Sequence, residues 1–226
     1  MSLFKSCTAE AVGVFALTFI GAGSIIIDKA TGGSVGLLGI AIAHGLALSI
    51  AVSTCMNISG GHINPAISIG LFTIGRMKAL ETLAYVIAQV LGAVVAGLCL
   101  KGLFPADAAA MVNFGTPTPS DLISGGTGAV ILIEAIATFL LAWAIYGTAC
   151  GSKGPQGLGG FGVGLTVAML ILAIGPLTGG AMNPARHFGT AIFGGQVGNI
   201  WIYWVGPVIG AIAGFQLFSR ILEPKQ

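Results

Sequence analysis

"HINPAISIG" occupies residues 62–70 and "AMNPARHFG" occupies residues 181–189, so the word Asn-Pro-Ala occurs twice in this chain. Asparagine is a favoured N-cap and proline is tolerated at the first helical position, so each word predicts the start of a helix. The apolar stretches 64–74 and 183–193 would be roughly 16 Å long as helices, about half of a bilayer's hydrocarbon core. Each half-helix is therefore expected to enter a membrane without crossing it.

Composition places the rest of the chain in a membrane as well. Of 226 residues, 55% are hydrophobic and 7% are charged, whereas an ordinary soluble domain is about a quarter charged. Six apolar windows are long enough to span a bilayer, at 7–27, 37–56, 82–100, 130–149, 161–177 and 200–218. A net charge of +2 without a basic run gives no reason to expect nucleic acid as a partner.

The cysteines and the N-terminus complete this picture. The four cysteines lie singly in apolar stretches without paired spacing, so we expect four buried thiols and neither a metal site nor a cofactor. The N-terminus has no cleavage site suited to a signal peptide, so the first span is expected to be retained.

An even number of spans puts both termini on one side of the membrane. Six basic residues fall on that side and three on the other: Lys5, Arg76, Lys78, Lys153, Arg220 and Lys225 against Lys29, Lys101 and Arg186. The positive-inside rule therefore favours cytoplasmic termini. Since the tails are short and carry no targeting segment, we expect an integral multi-pass protein of a plasma membrane or bacterial inner membrane.

The two words belong to a longer internal repeat. Asn183 minus Asn64 is 119, and at that offset "SGGHINPAISIG" lies over "TGGAMNPARHFG". Each unit holds three spans and one half-helix, and because three is odd the second unit must be inverted. The predicted fold class is an all-α membrane protein with six transmembrane helices and two re-entrant half-helices in an inverted three-plus-three repeat. We expect one domain over 1–226, with repeats at about 1–105 and 125–220.

Inverted half-helices would bring two helix N-termini together near the bilayer centre. Each N-terminus is worth about half a positive charge, so such a site repels cations. Each capping asparagine keeps an amide NH2 to donate, and two such donors bind a water oxygen through both lone pairs and interrupt a proton wire. The predicted pore residues are Asn64, Pro65, Ala66, Asn183, Pro184 and Ala185.

Two further sets of residues surround this site. Glycine-rich approaches lack bulk beside a cavity and are expected to expose backbone carbonyls, namely those of Gly60, Gly61, His62, Gly179 and Ala181. Glu10 and Glu134 are acids inside spans at matching places in the repeat. Intramembrane acids are often functional, but symmetric placement favours a structural role in fixing the re-entrant loops.

These residues resemble the aquaporin and glycerol-facilitator family over nearly the whole chain, most specifically in "SGGHINPA", "GGAMNPARHFG" and "WIYWVGP". The resemblance implies an hourglass fold, a pore in every protomer and a homotetramer. It also implies a selectivity filter on the extracellular side of the asparagines, at the positions of His44, Ile171, Gly180 and Arg186.

The predicted filter set resembles that of some plant vacuolar-membrane aquaporins, a set linked to ammonia as well as water. Taken alone, it would point to a vacuole. The glycerol branch carries an acid, a basic residue and a proline where this chain has His187, Ala191 and Tyr203. The resemblance therefore favours the water-channel branch.

We interpret the chain as a passive channel for water and small neutral solutes such as ammonia, closed to protons and ions. One alternative is a broader facilitator for ammonia, urea or small polyols. Others are a secondary transporter, since inverted repeats also build those, and a membrane scaffold that transports nothing. An enzyme is not expected, because no nucleophile, base and orienting group fall at recognisable spacing. Because His44 and His187 can titrate near neutrality, we hypothesise that permeability varies with pH.

Overall fold

The computed structural model describes residues 2–151 and 158–223, and within those ranges the chain is helical without strands. Because backbone groups cannot be left unpaired in lipid, helices are one of two structures able to span a bilayer. The α-helices are α1 (Leu3–Ala30), α2 (Gly36–Ser59), α3 (Pro65–Thr73), α4 (Ala79–Leu103), α5 (Ala106–Met111), α6 (Gly126–Ile145), α7 (Gly159–Thr178), α8 (Pro184–Gly194) and α9 (Ile202–Leu217).

The six predicted spans are confirmed, and the two half-helices lie between them. Helices long and apolar enough to cross a membrane are α1, α2, α4, α6, α7 and α9. Several run a few residues beyond the predicted windows, since a helix continues through polar residues to its cap. For example, α1 begins after Ser2, whose side chain accepts from the backbone N–H of Lys5. α6 and α9 each end in a π-helical turn, at Tyr146–Cys150 and Phe218–Leu222.

The long connector between the repeats holds a short helix and a turn that the sequence did not predict. Its Pro- and Gly-rich ends indicate a loop, yet the alanine-rich stretch Ala106–Met111 forms α5 and a 3-10 turn follows at Asn113–Gly115. Alanine has the highest helix propensity, which explains α5. The 3-10 turn contacts α8 and α1, so this connector lies against the centre of the molecule.

Helix packing interlocks the two repeats. α1 packs on α4 and α6 packs on α9 within each repeat, whereas α2 and α7 pack on each other between repeats. α3 packs chiefly on α9 and α8 chiefly on α4, so each half-helix lies against a spanning helix of the other repeat. At the α2–α7 crossing a Cβ on Gly45 would lie 2.7 Å from the carbonyl oxygen of Gly164. Glycine is therefore what lets these two helices approach so closely.

The outer surface of the helices is apolar, as a lipid-facing surface must be. Ile50, Phe4 and Leu103 expose 68%, 80% and 74% of their surface. The same apolar exterior explains why the prediction of four buried thiols was wrong. Cys55 is buried, but Cys7, Cys99 and Cys150 are partly exposed, because an apolar stretch faces lipid or a cavity as readily as the core.

Candidate functional site

Both Asn-Pro-Ala words begin helices in the way their residue types predict. Asn64 caps α3, with its Oδ1 accepting from the Ala66 N–H at 2.9 Å. Asn183 caps α8, with its Oδ1 accepting from the N–H groups of Ala185 at 3.1 Å and Arg186 at 3.2 Å. Each cap satisfies backbone donors that the first helical turn leaves free. Both asparagines are buried, so both helix N-termini lie inside the protein.

The two asparagine amides tie the repeats together. Asn64 Nδ2 donates to the Met182 carbonyl at 2.8 Å, and Asn183 Nδ2 donates to the Ile63 carbonyl at 2.7 Å. Each amide therefore keeps one N–H, so the two asparagines together retain the two donors that the sequence predicts for the cavity. Ile63 and Met182 have φ of 52° and 50°, a left-handed conformation uncommon for bulky residues. No pattern in the sequence predicts a left-handed conformation at these two positions.

Glu10 holds the chain that leads into the first half-helix. Its Oε1 accepts from Ser59 Oγ at 2.6 Å and from the His62 N–H at 2.9 Å, and its Oε2 accepts from the Ile63 N–H at 2.5 Å. Gln89 Nε2 adds a fourth donor at 2.7 Å. The carboxyl group is fully buried. Glu10 therefore lies behind the approach to Asn64 and outside the cavity wall.

Glu134 makes the equivalent contacts in the second repeat. Its Oε1 accepts from Thr178 Oγ1 at 2.6 Å and from the Ala181 N–H at 3.0 Å, and its Oε2 accepts from the Met182 N–H at 2.7 Å. The Tyr203 hydroxyl donates to the Thr178 carbonyl at 2.6 Å. These contacts support the predicted scaffold role of the two acids, which remains a prediction.

A histidine and an arginine meet at one end of the cavity. Arg186 Nη2 lies 3.0 Å from His44 Nε2, and His44 Nδ1 lies 2.8 Å from the Ile40 carbonyl. A carbonyl can only accept, so we assign the ring proton to Nδ1, which leaves Nε2 to accept from the guanidinium. Arg186 Nη1 also donates to the Gly115 carbonyl at 2.8 Å. Among residues 2–151 and 158–223 no carboxylate forms an ion pair with Arg186, so hydrogen bonds fix it.

The loop that holds Arg186 is a second feature that sequence reasoning missed. Asn113, Phe114 and Gly115 have φ of 49°, 56° and 67°. Consecutive left-handed residues, two of them not glycine, are strained and tend to occur at functional sites. Asn113 and Gly115 were the available signals, since both residue types tolerate this conformation. These three left-handed residues direct the Gly115 carbonyl toward the Arg186 guanidinium.

One central cavity brings the predicted asparagines and filter residues together. Its wall includes Asn64, Asn183, His44, Ile171, Gly180 and Arg186, and also His62 and Ala181. Between these polar groups the wall is apolar, and Leu17, Leu48, Leu141 and Val167 form part of it. The other four residues of the two words are buried in the half-helices behind it, namely Pro65, Ala66, Pro184 and Ala185.

A vestibule adjoins the central cavity at each end. The vestibule at the His44 end, which we call the outer vestibule, lies beside Gly115 and Gly179 and shares His44 and Ile171 with the cavity. The inner vestibule contains Gly60, Gly61, Arg76 and Cys150 and shares His62, Ile145 and Val163 with the cavity. Because neighbouring spaces share wall residues, they lie end to end between the two faces of the protein, and we call this row of spaces the path.

His187 does not line this path. Its ring is fully buried and stacks on Tyr203, with the ring centroids 4.1 Å apart. It occupies the place that Ser68 holds in the first repeat, since 187 minus 68 is 119. The hypothesis of pH-dependent permeability therefore rests on His44.

Comparison with known proteins decides which family has this architecture. The family model described as "Major intrinsic protein" matches residues 1–218. The chain belongs to the major intrinsic protein family. Aquaporin TIP2-3 of Arabidopsis thaliana is 41% identical over 224 residues, which cover 95% of this chain and 86% of that protein. Aquaporin TIP2-2 of Zea mays is 40% identical over 215 residues, which cover 91% of this chain and 82% of that protein.

A solved structure shows the same fold as this major intrinsic protein. The X-ray structure of the aquaglyceroporin from Plasmodium falciparum covers 98% of this chain, with a TM-score of 0.81 and 24% identity. The predicted fold class, with six spanning helices and two half-helices, is confirmed. Family membership makes this an integral membrane channel and not an enzyme.

Proposed function

We propose that this major intrinsic protein is a passive channel that conducts water and ammonia and excludes protons and ions. One observation carries the proposal: both half-helix caps and the His44–Arg186 pair face the same cavity. A small neutral molecule with hydrogen-bonding groups fits a wall with a few polar groups set among apolar ones.

Proton exclusion is supported by the two asparagines. Each keeps one amide N–H after the bond to the opposite repeat, so together they donate two hydrogen bonds to one oxygen. A water molecule held in this way has no free lone pair to accept a proton from its neighbour in the file. The partial positive charges of the two helix N-termini act in the same direction.

Ion exclusion and solute choice are supported by the outer end of the cavity. The Arg186 guanidinium is always charged and repels cations, while its remaining N–H groups can bind a passing solute. Ile171 is apolar and Gly180 has no side chain, so this wall offers less bulk than a ring would. The relatives named aquaporin TIP2-3 and TIP2-2 support water as a permeant.

Stopped-flow measurements on proteoliposomes test the proposal, with water, ammonia, urea and glycerol compared as permeants. We expect the wild type to conduct water and ammonia. His44→Phe places a larger ring at the filter and Ile171→His places a longer, polar ring there, so ammonia permeability is expected to fall about tenfold, the effect of ~1.4 kcal/mol of added barrier, with a smaller fall for water. Ile50→Phe is the control, because it adds a ring to the lipid-facing side of the same helix α2.

Two outcomes would contradict the proposal. Proteoliposomes no more permeable to water than empty vesicles would favour a scaffold. Transport that saturates or follows an imposed ion gradient would favour a secondary transporter. Proton exclusion is measured separately, with a pH-sensitive dye trapped in vesicles under a pH gradient.

The second candidate is a broader facilitator for urea or small polyols. The apolar wall between the filter and the asparagines favours it, because Leu17, Leu48 and Leu141 offer carbon surface to a solute backbone. Against it, the chain lacks the acid, the basic residue and the proline of the glycerol branch. Urea or glycerol uptake as fast as water flux would establish this alternative.

Assembly and location are part of the proposal. We propose a homotetramer, supported by the apolar outer surface and the family resemblance, and native mass measurements in detergent test it. The filter set and the TIP-type relatives favour a vacuolar membrane over the plasma or bacterial inner membrane expected from the tails. Cytoplasmic termini remain a prediction, now with Arg186 removed from the charge balance because it is buried.

A further inference from the structure

Gly21 of α1 lies directly behind the His44 ring. It is buried, and a Cβ atom built on it would overlap Cδ2 and Nε2 of the imidazole and lie 2.9 Å from Cε1. Real Cβ atoms essentially never lie within 3.0 Å of such a neighbour. The imidazole therefore occupies the space that any side chain at residue 21 would need.

The His44 ring has little freedom to avoid such a side chain. Its Nδ1 is held by the Ile40 carbonyl at 2.8 Å and its Nε2 by Arg186 at 3.0 Å. The edge that faces Gly21 contains Nε2, the atom that bonds the guanidinium. Because α1 is on one side and the cavity is on the other, displacement from α1 moves the ring toward the cavity.

The neighbouring residue of α1 supports the other partner of Arg186. A Cβ on Gly115 would lie 2.8 Å from the Ala22 carbonyl oxygen and 2.9 Å from its Cα, so the loop at Gly115 rests on α1. The Gly115 carbonyl and the His44 ring are the groups that hold the guanidinium. Gly21 and Ala22, which are adjacent in α1, thus lie behind the His44 ring and behind Gly115, respectively.

The second repeat shows what a side chain does at this place. Glu134 minus Glu10 is 124, and Ile145 minus Gly21 is also 124. His44 corresponds in the same way to Val163, at an offset of 119. Ile145 and Val163 both form part of the cavity wall, whereas in the first repeat His44 forms it and Gly21 does not. A small residue at 21 is therefore specific to the end of the path that holds the filter.

We propose that Gly21 is a positioning residue that sets the width of the filter, by allowing the His44 ring to lie back against α1 in reach of Arg186. The inference rests on the proposed function, because it takes His44 and Arg186 as the filter. It adds a residue outside the cavity wall to those that determine which solutes pass.

Gly21→Ala in the full chain tests this in proteoliposomes. We expect water and ammonia permeability per channel to fall about tenfold, which corresponds to ~1.4 kcal/mol of added barrier, and the activation energy of water flux to rise. The decisive readout is the same substitution in a His44→Ala background. With the ring removed there is nothing to displace, so the double variant should match His44→Ala within about twofold, since the interaction belongs to this pair.

Gly128→Ala is the matched control, because a Cβ on that helical glycine meets nothing within 4 Å. Its permeability should equal that of the wild type. Channel number is measured in each preparation, and the activation energy of water flux is independent of that number, so poor folding alone does not imitate the effect.

The outcomes separate this inference from the proposed function. A wild type that conducts neither water nor ammonia would contradict the proposed function. A conducting wild type with an unchanged Gly21→Ala variant would overturn the inference and leave the proposed function intact. If Gly21→Ala lowered permeability equally with and without the His44 ring, the inference would also be overturned, because the loss of permeability would then come from helix packing.

Discussion

At the residue scale, the site depends on polar side chains whose partners are distant in the sequence. Arg186 is held by His44 and by the Gly115 carbonyl, which are 142 and 71 residues away. Each bond takes one guanidinium N–H and leaves others to bind a solute. The filter is therefore shaped by α2, α8 and the connector together, and a change in any of them moves the arginine.

Cys150 is the thiol expected to respond to mercurials. It lies in the wall of the inner vestibule, whereas the buried Cys55 thiol points at the Ala9 carbonyl, 3.4 Å away. We expect mercuric chloride to reduce water permeability, Cys150→Ser to remove most of this block, and Cys55→Ser to leave it. Block that persists after replacement of all four cysteines by serine would mean that thiols are not the target.

Glu134→Gln is expected to destabilise the protein. An amide offers one oxygen where the carboxylate offers two, so an N–H of Ala181 or Met182 would lose its acceptor. A buried donor without a partner costs about 1–3 kcal/mol. Thermal unfolding in detergent should show a lower midpoint. Glu10→Gln should lower it at least as much, since Glu10 accepts from four donors, and the exposed Asp121→Asn should leave it unchanged.

At the element scale, helices approach closely wherever glycine faces a neighbouring backbone. A Cβ on Gly92 of α4 would overlap the Ala11 carbonyl of α1, and one on Gly210 of α9 would overlap the Ala135 carbonyl of α6. Lipid provides no hydrophobic force between helices, so such close packing is what holds spanning helices together. Both repeats thus use the same close contact of a glycine with a backbone carbonyl, between α1 and α4 in one repeat and between α6 and α9 in the other.

Gly164→Ala is expected to disturb the α2–α7 crossing. The added Cβ would overlap Ser49 Oγ and the Gly45 carbonyl and would lie 2.8 Å from the Ser49 nitrogen. Overpacking of this kind costs about 1–3 kcal/mol, and more where backbone cannot move. A lower yield of monodisperse protein and a lower unfolding temperature would show it. An equal yield for Gly164→Ala and the control Gly128→Ala would contradict this expectation.

At the scale of the whole molecule, neither repeat forms the site alone. α3 packs on α9 and α8 packs on α4, so each half-helix is seated by the opposite repeat. The asparagine bonds to Met182 and Ile63 cross the same boundary. The cavity is therefore a shared interface between the repeats.

A chain divided between Gly125 and Gly126 should show this dependence. Both residues are exposed, and Gly126 is the first residue of α6, so the break leaves every described helix intact. We expect fragments 1–125 and 126–226 to copurify and conduct water when expressed together, and each to be degraded when expressed alone. Stable isolated fragments of either half would show that the repeats fold independently.

The sequence by itself determined the six spans, the two half-helices and their inverted order. Apolar length marks the spans, Asn-Pro marks both helix starts, and an odd number of spans in each repeat requires inversion. The two Asn-Pro-Ala words also identify most of the candidate site, because Arg186 is the residue directly after the second word. These features are local or periodic, so they can be read without knowing which helices touch.

Only the tertiary structure decided how the site is held. The bonds from Asn64 to Met182 and from Asn183 to Ile63 depend on how the repeats meet, and the left-handed Ile63 and Met182 follow from that meeting. The same holds for the Gly115 carbonyl that binds Arg186, and for Gly21, whose role depends on a ring from another helix. Contacts between distant segments produce no periodic pattern in the sequence, because the residue pattern of each segment reflects only the formation of its own helix.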